Sequence, residues 1–146
     1  MTSASGDGDL PDREYRRLAE FRHALRLFLR FSEEAAREEG LTPHQHQLML
    51  AVRGWPSPDP PTLSELAEQL QLKVHSTGEL ARRAETAGMV VLDTDPDDHR
   101  RQLVRLTAEG HAKLRSLSVL HRDELRRSRR HLTDLLDMLE DAPHLR

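Results

Sequence analysis

The sequence predicts a mainly α-helical protein with one small β-hairpin, and three observations support this prediction. Apolar residues recur at helical spacing over most of the 146 residues, as in amphipathic helices. Two short segments, 89–92 and 102–107, instead contain β-branched and apolar residues suited to paired strands. Residues typical of helix starts and helix ends separate the helical segments. The predicted order is four helices, a hairpin and a last helix.

The first and last predicted helices carry more apolar surface than one small domain covers. The first spans residues 12–39 and has two apolar stripes. The last starts after Thr107, its expected N-cap, and ends near Asp141, so it is roughly 50 Å long at about 1.5 Å per residue. We therefore expect both helices to pack against another element or another chain. The first helix has stripes of Leu18, Phe21, Leu25, Phe28 and Leu29 and of Ala24, Leu27, Phe31 and Ala35, and the last has Leu114, Leu117, Leu125, Leu132, Leu135, Leu136 and Leu139 on one side.

Two capping boxes mark shorter helices between these two. Segments 42–45 and 62–65 each begin with Thr and end with Gln or Glu, which predicts helices over 43–53 and 63–70. Four prolines in 54–61 make the intervening segment a loop. After a break at 71–73, another helix runs to Ala87, and Gly88 suits the conformation that ends a helix. Two short helices joined by a tight turn form a helix-turn-helix.

Composition excludes several classes of protein and site. With 36% hydrophobic and 32% charged residues, the chain fits one globular domain. It has no cysteine, which excludes disulfides, thiolate metal sites and cysteine-based oxidant sensing. It has no apolar run of about 18 residues and no signal-peptide pattern at its N-terminus, so we expect a cytoplasmic protein with no membrane partner.

The net charge of the chain does not predict a general affinity for nucleic acid. The formal net charge is −3, from 22 Lys and Arg against 25 Asp and Glu. Nucleic-acid binding therefore requires a local cluster of positive side chains.

The helix after the tight turn has a polar side suited to a DNA major groove. His75 and Arg82 can donate hydrogen bonds to base edges or phosphates, and Glu79 can accept one from cytosine N4. Gly78 allows the helix backbone to approach the DNA closely. A solvated helix face has the same composition, so both interpretations are open. At 100° per residue, the side predicted to face the core consists of Thr77, Leu80, Ala84 and Ala87.

The tip of the hairpin is also open to two interpretations. Arg100 and Arg101 suit a narrow minor groove, where the negative potential is concentrated. A charge-assisted hydrogen bond from Arg100 to Asp98 would hold the arginine in place. Alternatively, the tip is a charged turn without function, since carboxylates outnumber arginines there: Asp93, Asp95, Asp97 and Asp98 face three arginines.

Residues 41–110 resemble the MarR family of bacterial winged helix-turn-helix regulators. The resemblance runs through TLSELAEQLQL, HSTGELARRAETAGMV and DTDPDDHRRQLVRLTAEG. The last segment is the most specific, because the wing of the family commonly reads D-P-x-D-R-R and the strand after it ends L-T-x-x-G. The matching positions are Asp95, Pro96, Asp98, His99, Arg100, Leu106, Thr107 and Gly110.

Residues 1–11 are mostly small and polar, and we expect them to form a disordered tail. The resemblance implies a single winged helix-turn-helix domain over 12–146. It implies a DNA-binding lobe, 41–110, and a homodimer held by long helices, 12–40 and 111–146, on a pseudo-palindromic site in double-stranded DNA. Members are usually repressors released by small aromatic or phenolic effectors. In this chain His99 replaces the usual arginine, and Lys73 the usual capping serine. The DNA-binding residues expected from pattern and resemblance together are Lys73, His75, Ser76, Thr77, Glu79, Arg82, Asp98, His99, Arg100 and Arg101.

Other kinds of site receive weaker support. His44 and His46 lie about 200° apart on a helix, so we expect no metal site, and we expect no cofactor. No catalytic motif is present, so we do not expect an enzyme. The alternative function is a dimeric winged-helix module that binds a ligand or a protein and has weak or lost DNA binding. The candidate effector pocket, whose members fit a hydrophobic core equally well, is Phe28, Phe31, His46, Leu50 and Trp55.

Overall fold

A computed structural model describes residues 8–140, with side chains through Met138. The order of elements predicted from the sequence is confirmed. Residues 1–7 of the expected tail and the expected helix end at Asp141 lie outside the described residues. The elements are α1 (Asp12–Glu38), α2 (Pro43–Arg53), α3 (Leu63–Leu70), α4 (Val74–Thr86), β1 (Val90–Thr94), β2 (Gln102–Leu106) and α5 (Ala108–Glu140).

The chain forms two compact units, and the boundaries between them fall inside the long helices. The core unit is Ser32–His121, and the helical unit consists of the chain before and after it. The core unit therefore includes the end of α1 and the first part of α5, beyond the lobe expected at 41–110. The physical reason is that Ala36 and Leu117 are completely buried.

Both capping boxes are present with their reciprocal hydrogen bonds. The Gln45 N–H donates to Thr42 Oγ1 at 3.1 Å, and the Thr42 N–H donates to Gln45 Oε1 at 3.1 Å. At α3, the Glu65 N–H donates to Thr62 Oγ1 at 3.2 Å and the Thr62 N–H to Glu65 Oε1 at 3.1 Å. Each box satisfies N–H groups that have no partner within their helix, which explains where α2 and α3 begin.

The turn between α3 and α4 is closed by a residue with left-handed backbone. Gln71 has φ 54° and ψ 44°, a conformation that lets the Leu72 N–H donate to the Ala67 carbonyl at 2.9 Å. The Gln71 side-chain amide also donates to the Glu68 carbonyl, at 2.7 Å. This turn sets the direction in which α4 leaves α3.

The hairpin is attached to the start of α3. Its strands pair antiparallel from Val90 opposite Leu106 to Thr94 opposite Gln102. The Val104 N–H donates to the Pro61 carbonyl at 3.0 Å, and Leu103 forms an isolated bridge with Thr62. The root of the wing is therefore tied to the helix-turn-helix.

One threonine and one glycine connect α4, the hairpin and α5. We call Gly88, Met89, Thr107 and Gly110 the α4–wing joint. Thr107 Oγ1 donates to the Gly88 carbonyl at 2.6 Å and accepts from the Gly110 N–H at 2.9 Å, so the predicted cap of the last helix is confirmed. A Cβ on Gly110 would lie 2.1 Å from the Met89 carbonyl oxygen. The close packing at the joint therefore requires glycine at position 110.

The core lies where α2, α3, α4 and the wing meet. Ala87, predicted to face the core, is exposed, because α4 ends at Thr86 and Ala87 lies in the turn that follows. Leu50 is also half exposed. The fully buried side chains include Leu48, Met49, Leu66, Thr77, Met89, Val90, Val104 and Leu117.

A buried histidine lies in this core. His46 is 3% exposed, and its ring centroid is 4.8 Å from that of His121. His46 Nδ1 is buried and has no hydrogen-bond partner among the described residues. His121 Nδ1 donates to the Leu117 carbonyl at 2.6 Å, and its Nε2 lies 2.7 Å from Ser32 Oγ. Burial first, and His121 second, lower the pKa of His46 to about 4.

Gly110→Ala should lower the free energy of unfolding by about 1–3 kcal/mol, the usual cost of overpacking. The backbone of Met89 must move to admit the methyl group, and this outweighs the better helix propensity of alanine. Denaturant unfolding of both proteins measures the difference. Gly8→Ala is the control, because a Cβ there meets nothing within 4 Å. Unchanged stability in Gly110→Ala would show that the joint is not tightly packed.

His46 should make stability fall as the solution becomes acidic. Its folded pKa is about 4, against 6.5 without the fold, so its contribution is fully present above pH 6.5 and is lost toward pH 4. Between pH 7 and 5, wild type should lose about 2 kcal/mol more unfolding free energy than His46→Gln. Denaturant titrations at both pH values provide the comparison, with exposed His44→Gln as the control. Equal losses in wild type and His46→Gln would contradict the assignment.

Candidate nucleic-acid interface

The start of α4 has no side-chain cap. Lys73 occupies the N-cap position, and its exposed side chain makes no capping hydrogen bond. Thr77, expected to reach the major groove, is instead completely buried, and its hydroxyl donates to the Lys73 carbonyl at 2.9 Å. The expectation for Thr77 is wrong, because this position faces the core and its hydroxyl is used within the helix. The first turn of α4 therefore presents Lys73, His75 and Ser76 to solvent.

The outward side of α4 presents a mixture of donors and one acceptor. His75, Ser76, Glu79 and Arg82 are all exposed, as predicted from helical spacing. His75 Nε2 and Glu79 Oε1 are 3.3 Å apart, with side-chain exposures of 82% and 51%. An exposed pair of this kind contributes little energy. Both side chains can therefore break this contact and form a hydrogen bond with a base instead.

Gly78 was expected to be open to solvent, but it is not. It is buried, and the Arg82 side chain covers it: Arg82 Nη1 is 3.3 Å from the position of a Cβ on Gly78. Arginine four residues later on a helix lies above the glycine, and the long side chain reaches back over it. Direct approach of DNA to the Gly78 backbone therefore requires Arg82 to move.

Asp98 organises the tip of the wing. Its Oδ1 accepts from the Arg100 N–H at 3.1 Å and from Arg100 Nε at 3.3 Å, which is the predicted contact between these residues. Its Oδ2 lies 3.6 Å from Arg101 Nε. The side chain of Asp98 is 29% exposed, against 92% for Arg100 and 65% for Arg101. The carboxylate is turned toward the loop, and the two guanidinium groups project from it.

Two other carboxylates of the wing, those of Asp93 and Asp95, also have partners. Asp95 Oδ1 accepts from the Asp97 N–H at 2.9 Å. Asp93 Oδ2 lies 3.3 Å from Arg105 Nε, on the strands. His99 is exposed beside Arg100. The cations at the tip thus extend further into solvent than the carboxylates that hold the turn.

Three residues of the expected effector pocket, His46, Leu50 and Trp55, have different surroundings in the core unit. Trp55 lines a cleft of about 550 Å³ with the proline-rich loop, β2 and His111, but neither His46 nor Leu50 lines this cleft. His46 is in the core and Leu50 is half exposed. Phe28 and Phe31 belong to the helical unit.

The structure has a cavity beside the outward side of α4 that the sequence did not predict. It measures about 380 Å³. Arg83, which sequence reasoning did not single out, lies one α-helical repeat of seven after Ser76, and this spacing is the signal that places both on one side of α4. The cavity is lined by Thr42, His44, Gln45, Leu72, Ser76, Glu79, Leu80 and Arg83.

Residues 8–140 lack two kinds of feature. No group of three or more metal-ligating side chains is present in that part of the chain. No helix there combines the length and the apolar character needed to cross a membrane.

Comparison with known proteins identifies the fold. No protein-family model matches the sequence, and no curated protein sequence matches it. Among solved structures, AbsC, a MarR family transcriptional regulator from Streptomyces coelicolor, has a TM-score of 0.72 and 22% identity, covering 91% of this chain and 89% of AbsC.

Two other similar structures contain DNA. A MepR mutant from Staphylococcus aureus bound to an oligodeoxyribonucleotide has a TM-score of 0.65 and 18% identity, covering 83% of this chain and 96% of MepR. The M. tuberculosis regulator MOSR in complex with DNA has a TM-score of 0.58 and 22% identity, covering 86% of this chain and 97% of MOSR. The chain therefore has the winged helix-turn-helix fold of the MarR family of transcriptional regulators.

Proposed function

We propose that this protein is a sequence-specific DNA-binding transcriptional regulator of the MarR family. The observation that carries the proposal is an exposed row of polar side chains on α4 beside a wing whose tip projects Arg100, in a fold that two DNA complexes share. In the proposed complex α4 enters the major groove and Arg100 the adjacent minor groove.

The charges of the interface are local. Arg82 on α4 and Arg100 and Arg101 on the wing are exposed in a chain whose net charge is −3. Phosphate contacts by these side chains release counterions, so affinity should fall steeply with salt. Lys73 at the N-cap of α4 and His99 beside Arg100 on the wing are both exposed and complete the proposed surface.

A second copy of the chain is the proposed partner of the helical unit. The stripe predicted on α1 includes Leu18, Leu25 and Leu29, which are 43%, 42% and 53% exposed. On α5, Leu125 and Leu136 are 44% and 49% exposed. Exposed leucines at helical spacing mark an interaction surface, and a symmetric dimer would place two α4 helices on a pseudo-palindromic operator.

Repression and release by an effector complete the proposal. A protein bound across an operator blocks access of other proteins to it, and an aromatic or phenolic ligand held in a cleft would release the protein from the DNA. The cleft beside Trp55 supplies an aromatic wall and the cation of Arg53 for such a ligand. We place this activity in the cytoplasm.

A dimeric winged-helix module with weak DNA binding is the second candidate function. The observation that favours it is the acidic character of the wing, where Asp93, Asp95, Asp97 and Asp98 lie within six residues. Gel-shift titration of the full chain against the promoter region beside its own gene, at about 0.1 M salt, separates the candidates. If unrelated duplex does not displace the promoter fragment from the protein, the result supports the regulator. If the protein shows no sequence preference, the result supports the second candidate.

Arg100→Ala should weaken DNA binding by about 1–3 kcal/mol if Arg100 enters a groove. Fluorescence anisotropy with a labelled operator measures this loss. Arg130→Ala removes the same charge from an exposed position on α5 and is the control. Equal affinities of Arg100→Ala and Arg130→Ala would remove the wing from the proposed mechanism.

Leu25→Glu should shift the protein from dimer to monomer, because a buried carboxylate without a partner is costly. Sedimentation velocity at micromolar concentration measures the shift. Arg26→Glu, at the exposed neighbouring position outside the leucine stripe, should leave the dimer intact. A wild-type monomer would contradict the proposed assembly.

A further inference from the structure

Gly78 lies in the middle of α4, where a glycine calls for a physical explanation. Glycine in a helix interior is destabilising relative to alanine, because it loses more backbone freedom on folding. The residue lies between Thr77, which faces the core, and Glu79, which faces solvent. The atoms that pack against the Cα of Gly78 should therefore explain why this position has no side chain.

Packing of the core does not supply that reason. The three atoms nearest to a Cβ on Gly78 all belong to the Arg82 guanidinium group: Nη1 at 3.3 Å, Nη2 at 3.6 Å and Cζ at 3.8 Å. Gly110 is the opposite case, since its Cβ would meet backbone atoms of Met89. The missing methyl group of Gly78 makes room for one flexible side chain.

Arg82 has no competing partner in the part of the chain described. Its guanidinium group makes no hydrogen bond or ion pair with residues 8–140, whereas His75 and Glu79 on the same side of α4 contact each other. The donors of Arg82 are thus uncommitted, and its guanidinium lies over Gly78 on the helix surface. A side chain that already occupies its binding position loses less conformational entropy on binding.

We propose that Gly78 is a positioning residue for Arg82, and that Arg82 so placed reads one guanine in each operator half-site. This inference depends on the proposed function. A guanidinium group donates two hydrogen bonds to guanine O6 and N7, a pattern that no other base offers in the major groove. A methyl group at position 78 displaces the guanidinium from its place over the helix and disturbs this contact.

The test is selection of binding sites from a random duplex library by four full-length proteins: wild type, Gly78→Ala, Arg82→Ala and the double variant. Wild type should enrich an inverted repeat with a fixed guanine in each half. Arg82→Ala should lose that guanine preference and bind the wild-type site roughly 5- to 150-fold more weakly. Gly78→Ala should lose preference at the same position, and the double variant should be no weaker than Arg82→Ala.

Thermal unfolding separates positioning from damage to the fold. Gly78→Ala should raise the unfolding midpoint temperature, because alanine favours the helix and only the end of a flexible side chain must move. Arg83→Ala is the matched control: it removes the neighbouring exposed cation and should keep the guanine preference. A lower midpoint temperature for Gly78→Ala would show that the glycine is needed for packing and would overturn the inference.

Two results distinguish this inference from the proposed function. If wild type enriches a motif and Gly78→Ala retains its guanine, Gly78 does not position Arg82. The same conclusion follows if Gly78→Ala weakens binding equally with and without Arg82, since the glycine then acts by admitting the DNA backbone. If wild type enriches no motif, the proposed function fails as well.

Discussion

Hydrogen bonds of the Thr107 hydroxyl join three elements of the core unit. It donates to the Gly88 carbonyl at the end of α4 and accepts from the Gly110 N–H at the start of α5. The Thr107 N–H also donates to the Met89 carbonyl at 3.0 Å, and the absence of a side chain at Gly110 admits that carbonyl. The direction of the wing relative to α4 depends on this joint, and both proposed DNA contacts depend on that direction.

The placement of charge on the wing explains how an acidic segment can present a basic tip. An exposed ion pair contributes little energy, but a carboxylate that accepts a backbone N–H also holds the turn. Asp98 and Asp95 both accept backbone N–H groups, so their negative charges lie against the loop. Arg100 is 92% exposed. The net charge counts the carboxylates and the arginines of the wing equally, whereas the arginines that project from the tip lie closest to bound DNA.

The sequence predicted those parts of the fold that depend on local rules. The capping boxes at Thr42 and Thr62 and the left-handed Gly88 follow from residue type and spacing, and so does the exposed side of α4. The left-handed conformation of Gln71 was not predictable from residue type, because a side chain is rarely tolerated there.

The errors concern side chains whose surroundings come from tertiary structure. Gly78 was assigned to the exposed side by its angle on the helix, but angle does not show that Arg82 lies over it. Thr77 was assigned both to the core side of α4 and to the DNA-binding side, and its complete burial shows that it faces the core. His46 and Trp55 were grouped because they lie on α2 and on the loop that follows it, whereas in the structure His46 is in the core and Trp55 lines a cleft.

Photocross-linking of the full chain to an operator duplex tests the central claim most directly. A photoreactive residue is introduced in place of Ser76 on α4 or His99 on the wing, both exposed, and in place of Arg130 on α5 as the control. The account predicts cross-links from position 76 to bases inside each half-site, from position 99 to the flanking minor groove, and none from position 130. A protein that shifts the duplex but cross-links from neither position 76 nor position 99 would contradict it.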